Sequence, residues 1–314
     1  MKLVVTRNIS NELLEKIASV TPLEMIVSEK QEEIVKEVKD AEVLLLFWHA
    51  KHKVVDFFIE AEKLKWVHSV SAGVDHVLPH FKKNDVILTR SATTQNVAIA
   101  EHCLSLMLMI SRQLNYVFKH VQQRRWERLI GDELFNHTVV ILGVGFVGRE
   151  IAKRCNCFGM TVIGVDLVKP SRVDLYRFYP ISNLDEALKE ADYLVVTLPL
   201  TKETAGLIGE KEFSEMKPGA KLVNVSRGGI VAEKAMIEAL KQKRLAAAAS
   251  DVFETEPLPS TSPLYEMENF IISPHMAGLT PYMVPRAVDL FCKNLRKYLN
   301  GEPLLHAVIL ERGF

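Results

Sequence analysis

Val139-Val140-Ile141-Leu142-Gly143-Val144-Gly145-Phe146-Val147-Gly148 is an apolar run that ends in G-x-G-x-x-G, and the architecture of the chain can be worked out from it. The first glycine permits a tight turn, the second lets the backbone approach a pyrophosphate, and the third lets a helix pack close to the strand. The pattern means a dinucleotide only with a strand before it and a helix after it. Both are expected here, since the apolar run precedes it and Arg149 to Phe158 reads as a helix. A second apolar run, Thr161 to Val165, ends in the carboxylate of Asp166. Gly143, Gly145 and Gly148 are therefore expected to cradle a dinucleotide. Asp166 would accept hydrogen bonds from the adenosine ribose hydroxyls and repel a 2′-phosphate, which favours NAD over NADP. Lys169 works the other way, because its ammonium would partly accommodate that phosphate.

At 314 residues the chain exceeds the size at which single cores usually stop growing, so two domains are expected. Hydrophobic residues at 48% and charged residues at 25% describe an ordinary globular composition. Lys+Arg and Asp+Glu both number 39, so nothing global draws the chain toward nucleic acid or an anionic membrane. The opening Met1-Lys2-Leu3-Val4-Val5-Thr6-Arg7 has too short an apolar run for a signal peptide, and no run is long enough to span a bilayer. A cytoplasmic location is the expectation. Cys103, Cys155, Cys157 and Cys292 lack C-x-x-C spacing and read as buried free thiols, and no metal site is expected.

Strand and helix patterns alternate through the first hundred residues. Strands are expected at Leu3 to Thr6, Leu23 to Ile26, Val43 to Phe47, Trp66 to Val70 and Val86 to Thr89, with helices near Asn11 to Ala18 and Glu32 to Lys39. Apolar runs separated by amphipathic helices indicate a parallel sheet covered on both faces. Asn96 to Val121 reads as one long helical segment, apolar nearly all round at Cys103 to Ile110. Such a helix must be buried on every side, which predicts a dimer interface there or, alternatively, a fully internal helix. A second alternating block starts at Thr138. Its further strands are expected at Thr161 to Val165, Tyr193 to Leu198, Lys221 to Asn224, Ala247 to Val252 and Phe270 to Ile272. A helix from about Pro285 and a short closing segment complete the chain. The fold class is thus α/β with two doubly wound parallel sheets.

Three segments stand where a parallel strand should open into a ligand crevice. Val223-Asn224-Val225-Ser226-Arg227-Gly228-Gly229 presents an arginine able to grip a carboxylate with two parallel hydrogen bonds. Ala249-Ser250-Asp251-Val252-Phe253-Glu254-Thr255-Glu256-Pro257 presents acids, and Ile271-Ile272-Ser273-Pro274-His275 a histidine. Taken alone each has a bland reading, and with 10 histidines in the chain spacing does not choose His275 over His102 or His76. Their conjunction with a nucleotide cradle carries the argument. Reduction of a carbonyl beside a carboxylate needs a hydride source, a cationic clamp and a proton donor that titrates near neutrality.

These segments, together with Ser71-Ala72-Gly73-Val74-Asp75, Val97-Ala98-Ile99-Ala100-Glu101, Leu198-Pro199-Leu200-Thr201-x-x-Thr204 and Gly301-Glu302-Pro303, resemble the D-isomer-specific 2-hydroxyacid dehydrogenases over essentially the whole chain. The resemblance implies a flavodoxin-like substrate-binding domain at 1–98 and 287–314. A Rossmann NAD-binding domain at 99–286 is inserted into it, with the helices near Asn96 to Val121 and Tyr282 to Tyr298 as hinges for a closure that expels water. It implies Arg227, Glu256 and His275 as the catalytic set. His275 donates a proton to the carbonyl oxygen, Glu256 holds the other imidazole nitrogen, and Arg227 binds the carboxylate. Asp251 contacts the nicotinamide side. Cofactor contacts are also implied at Phe146, Val147, Leu198, Pro199, Thr204, Val225, Ser226 and Gly278, and substrate contacts at the amides of Ala72 and Gly73. A homodimer through the NAD-binding domain and a small 2-oxoacid or 2-hydroxyacid substrate follow from the same likeness.

Substrate choice is read from Phe47-Trp48-His49-Ala50-Lys51, where a phosphoglycerate-oxidising relative would carry an arginine-containing phosphate grip. No arginine is present, and an aromatic pair with Trp48 as a substrate contact fits glyoxylate, hydroxypyruvate or a similar small oxoacid. Phe47 and Trp48 read equally well as core residues. The chain ends at Phe314, which sets the expectation of no C-terminal regulatory domain without excluding phosphoglycerate. Glu256 before Pro257 speaks against a formate dehydrogenase, which would have an amide there. Met276-Ala277-Gly278-Leu279 is bulkier than the small residues common after that histidine and would narrow the pocket. The alternative from another class is an NAD-sensing, corepressor-like protein, against which the complete Arg227, Glu256 and His275 set weighs.

Overall fold

The computed structural model describes residues 1–47, 57–58, 61–75, 77–81 and 85–310. The chain divides into two compact units, Met1–Gln95 with Thr280–Phe314, and Asn96–Leu279. In the first unit β1 (Lys2–Val5), β2 (Glu24–Val27), β3 (Val43–Leu46), β4 (Trp66–Ser69) and β5 (Ile87–Arg90) form a parallel sheet of order β2-β1-β3-β4-β5. That is the flavodoxin-like winding order. Strand alternation divides its apolar side chains between two faces. Val4, Leu44, Leu46, Val67 and Leu88 pack with Ile34 and Val38 of α2 (Gln31–Val38). Leu3, Val5, Val43, Leu45 and Trp66 pack with Ile17 of α1 (Asn11–Ala18) and with Phe291 and Leu295 of a helix near the C-terminus (Met283–Leu299). That helix starts slightly before the expected Pro285, which sits in its first turn, where a missing N–H costs nothing.

The second unit is a parallel seven-stranded sheet, built from β6 (Thr138–Leu142), β7 (Thr161–Asp166), β8 (Arg177–Pro180), β9 (Tyr193–Val196), β10 (Ala220–Asn224), β11 (Leu245–Ser250) and β12 (Phe270–Ile272). Its order is β12-β11-β10-β9-β6-β7-β8, so the winding reverses between β6 and β9, and the carboxyl ends of those two strands flank the switch point where such folds bind ligands. β8 has no counterpart among the expected strands. Arg-Phe-Tyr-Pro at the sheet edge is only partly buried and ends in proline, so it shows none of the apolar continuity that marks a central strand.

The segment expected as one helix from Asn96 to Val121 is two, α3 (Asn96–Ser111) and α4 (Leu114–Gln122), bent by 69°. Gln113 takes φ +54 at the break, a left-handed conformation that ends the first helix. The apolar stretch of α3 is internal to its own unit, with Ala100, Cys103, Leu104, Met107 and Ile110 packed against Val139, Ile151 and Cys155. α4 buries no residue, and Phe118, Val121, Trp126 and Ile130 are exposed on it and just beyond it. Cys103, Cys155 and Cys292 are buried free thiols; Cys157, expected to be buried, is exposed at the end of α5 (Phe146–Cys157). Among the described residues no single helix is long and apolar enough to cross a membrane, and no cluster of His, Cys, Asp and Glu is placed to hold a metal ion.

Candidate active site

β6 runs directly into the glycine turn. Gly143 has φ +96, and a Cβ on Gly148 would lie 2.1 Å from the Gly143 carbonyl oxygen, so α5 sits this close to the turn only because residue 148 is glycine. Thr197 Oγ1 donates to the same carbonyl at 2.5 Å. Gly145 differs, because a Cβ there would meet nothing within 4 Å. That open space borders the start of α5, a helix without a side-chain cap whose Phe146 and Val147 belong to the first turn. Open space at a helix N-terminus suits an anion such as a pyrophosphate. Asp166 closes β7, with Oδ2 accepting from the Val144 amide and Oδ1 from the Leu167 amide, both at 2.7 Å. Each oxygen keeps acceptor capacity for a ribose hydroxyl. Leu198 and Pro199 follow β9 next to Gly143, and Thr204 Oγ1 donates to the Pro199 carbonyl at 2.6 Å, closing that turn. These residues fit a dinucleotide.

Arg227, Glu256 and His275 follow β10, β11 and β12, three adjacent strands, so sheet order alone brings their turns side by side. His275 Nδ1 and Glu256 Oε2 are 2.6 Å apart, and Glu256 Oε1 accepts from the Phe253 amide at 2.9 Å. The carboxylate is thus fixed from behind and fixes the ring in turn, which directs Nε2 away from it. Side-chain exposures of 49% and 34% leave the pair reachable. Val225 and Ser226 are buried under the Arg227 turn. Asn224, 1% exposed, holds that turn from inside: its Oδ1 accepts from the Ser226 amide and hydroxyl, and its Nδ2 donates to the Arg227 carbonyl at 3.1 Å. Arg227 Nη1 donates to the Ser226 carbonyl at 2.8 Å.

Asp251 is 2% exposed. Its Oδ1 accepts from the Ser273 hydroxyl at 2.5 Å and the Met276 amide at 2.9 Å, and its Oδ2 accepts from the Ala277 amide at 3.0 Å. The carboxylate therefore clamps the turn that carries His275, whose backbone takes φ +52. A non-glycine residue holds that conformation only when its surroundings over-determine it. Gly278 ends the turn, partly buried. The sequence reading missed Asn224 and Ser273, because a buried strand-end amide or hydroxyl leaves no spacing signature of its own.

In the first unit the Ser71-Ala72-Gly73 loop follows β4. Arg90 Nη1 donates to the Ala72 carbonyl at 2.7 Å, and the Ser71 amide donates to Ser69 Oγ at 3.3 Å. Phe47 is a core residue, 3% exposed. Trp48 and Lys51 lie outside the described residues.

Residues 104–277 match the family model described as D-isomer specific 2-hydroxyacid dehydrogenase, NAD binding domain. The chain is 32% identical over 307 residues to a D-3-phosphoglycerate dehydrogenase of Methanocaldococcus jannaschii, covering 96% of this chain and 58% of that one, so it spans little more than half of that relative. It is 32% identical over 284 residues to a glyoxylate reductase of Thermofilum pendens, with 87% and 82% of the two chains covered. Its fold matches an NADPH-dependent glyoxylate/hydroxypyruvate reductase of Sinorhizobium meliloti, solved with NADP and sulfate, with TM-score 0.86, 27% identity, and 100% and 99% of the two chains covered. Strand order, glycine turn, the three strand-end residues and these matches agree: the chain belongs to the D-isomer specific 2-hydroxyacid dehydrogenase family.

Proposed function

We propose that this protein is a nicotinamide-dependent oxidoreductase acting on the CH–OH group of small D-2-hydroxyacids, and in reverse a reductase of 2-oxoacids such as glyoxylate or hydroxypyruvate. The observation that carries the reading is the His275–Glu256 pair at 2.6 Å, on turns adjacent to that of Arg227. When bound, the cofactor supplies or accepts the hydride. Gly143, Gly145, Phe146, Val147, Gly148 and Asp166 hold it, with further contacts from Leu198, Pro199, Thr204, Val225, Ser226, Asp251 and Gly278. His275 Nε2 gives its proton to the substrate carbonyl oxygen in reduction and takes it back in oxidation. Glu256 keeps the ring oriented and balances the imidazolium charge. Arg227 binds the substrate carboxylate and polarises the carbonyl, an electrostatic contribution of about 3 kcal/mol by analogy with deleted oxyanion donors. The amides of Ala72 and Gly73, on a loop held by Arg90, are kept as substrate contacts from the family resemblance. Trp48 is kept as a substrate contact from the sequence pattern.

NAD is proposed over NADP because the fixed Asp166 carboxylate would repel a 2′-phosphate. The two-domain assignment, 1–98 with 287–314 for substrate and 99–286 for the cofactor, is part of the same reading, and so is a cytoplasmic location, where the cell's nicotinamide pool is met. A homodimer through the NAD-binding unit is supported by the exposed apolar set of Phe118, Val121, Trp126 and Ile130, the last two 94% exposed. The D-3-phosphoglycerate dehydrogenase relative supports phosphoglycerate as a second substrate reading. The test is NADH oxidation, with NADPH in parallel, against glyoxylate, hydroxypyruvate, pyruvate, phenylpyruvate and phosphohydroxypyruvate. Turnover of the unphosphorylated oxoacids is expected, and preference for phosphohydroxypyruvate would move the assignment to the second reading. NADH binding without turnover of any of them would instead favour a sensing protein.

A further inference from the structure

Among the described residues His102, on α3, makes no hydrogen bond to His275 or Glu256, yet it reaches the turn carrying His275 from behind. Its Nε2 lies 2.8 Å from Ser273 Oγ and 3.6 Å from Asp251 Oδ1. We propose that His102 is a positioning residue that acts in series through Ser273 and Asp251 on the turn carrying His275, an inference that rests on the dehydrogenase reading.

Proton counting sets the direction of the chain. The Asp251 carboxylate only accepts, and it receives the single Ser273 proton across 2.5 Å. The Ser273 oxygen then has lone pairs alone to offer His102, so His102 must donate, which fixes it as the Nε2–H form. The donated bond polarises the Ser273 hydroxyl and strengthens its bond to Asp251, since hydrogen bonds in a chain reinforce one another in a low-dielectric interior. Asp251, held on that side, presents the rest of its carboxylate to the Met276 and Ala277 amides, while its backbone carbonyl accepts from the His275 amide at 2.8 Å. Three donors on a buried carboxylate leave one lone pair, on Oδ2, free for a ligand. His102 thus helps hold a histidine in a left-handed conformation that it would not adopt unaided. Glu256 orients the His275 ring; the His102 chain orients the backbone beneath it.

Three variants separate this from general stability. His102→Met fills the volume without a donor, His102→Gln restores a donor near the Nε2 position, and Ser273→Ala removes the middle link. In histidine-labelled, ligand-free protein, NMR should find His102 protonated at Nε2. The His275 ring resonances should move in His102→Met and Ser273→Ala and return in His102→Gln. With a small oxoacid, kcat should fall about fivefold or more in the two broken variants, as expected for one lost hydrogen bond, with KM little changed. The His102→Met/Ser273→Ala double variant should be no worse than either single one. If His102→Met does not fold, Ser273→Ala against Ser273→Thr makes the same comparison. An Nδ1-protonated His102, His275 resonances indifferent to the broken variants, or additive losses overturn the proposal. A wild-type protein without turnover sinks the dehydrogenase reading instead, and the NMR comparison still decides the role of His102.

Discussion

The polar cluster near the strand ends of the first unit is wholly buried, whereas past β11 and β12 of the second unit Glu256 and His275 stay reachable above a buried polar layer of Asn224, Asp251 and Ser273. His68 on β4, Thr89 on β5 and Ser91 are fully buried, with His68 Nδ1 2.7 Å from Thr89 Oγ1, its Nε2 3.1 Å from Ser91 Oγ, and Trp66 Nε1 donating to Thr89 at 2.8 Å. Burial, and secondarily the nearby His306, pushes the His68 imidazole down to about 3, so it is a neutral structural group. His275 has a carboxylate partner and a ring half exposed. The same residue type on the same parallel α/β plan thus sits in two opposite settings. What differs is the partner, hydroxyls in one case and a carboxylate in the other, and the burial of the ring.

The largest effect that would sharpen the contrast is chemical. His275→Ala should lower turnover by about two orders of magnitude or more, with NADH affinity nearly intact; fluorescence titration beside steady-state rates checks both, and undiminished turnover would remove His275 from the mechanism. Gly148→Ala should follow. Its Cβ would lie 2.1 Å from a backbone oxygen, an overpacking that costs about 3 kcal/mol and weakens NADH binding; an unchanged melt with unchanged affinity would refute the cradle geometry.

His68 should dominate an acid limb. The unfolded chain protonates near 6.5 and the folded chain only near 3, so the unfolded state binds more protons in between. Stability should therefore fall as pH drops from 6.5 toward 3, by on the order of 1 kcal/mol per unit, and His68→Asn should flatten that slope in denaturant titrations. A wild-type profile flat over that range would contradict the neutral, buried assignment.

The smallest effect is expected at Asp132 of the second unit. Partial burial works against its charge, but bonds from the Glu133 amide, Lys221 and His137 outweigh this and hold the carboxyl at about 2. Its contribution is present above the ordinary 3.8 and lost as pH falls through about 2. Because the side chain is 48% exposed, Asp132→Asn should cost no more than about 0.5 kcal/mol near neutral pH. A larger loss would mean that this ion pair is less screened than its exposure implies.

The legible parts of the sequence were those with a period or a spacing. Apolar runs between amphipathic helices gave every strand of the first sheet and all but β8 of the second, because a strand buried on both faces must be continuously apolar. β8 failed the same test because an edge strand need not be. The segment Asn96–Val121 reads as one unbroken helix because Arg112-Gln113 contains neither glycine nor proline, while the structure breaks it with a left-handed φ at Gln113. Arg227, Glu256 and His275 were named from motif resemblance together with strand-end position. Asn224, Ser273 and His102 were not, because each acts through a contact that is long in sequence or hidden in the core.

Two parallel sheets, a glycine turn built for a dinucleotide and the family resemblance are already written in the residues, because these depend on local sterics, short-range periodicity and motif spacing. The three-dimensional packing alone reveals that β10, β11 and β12 lie side by side, that Asn224 holds the Arg227 turn from inside, and that Asp251 clamps the turn carrying His275. Those contacts depend on strand order and on hydrogen-bond directions of a few ångströms, which residue spacing along the chain does not encode.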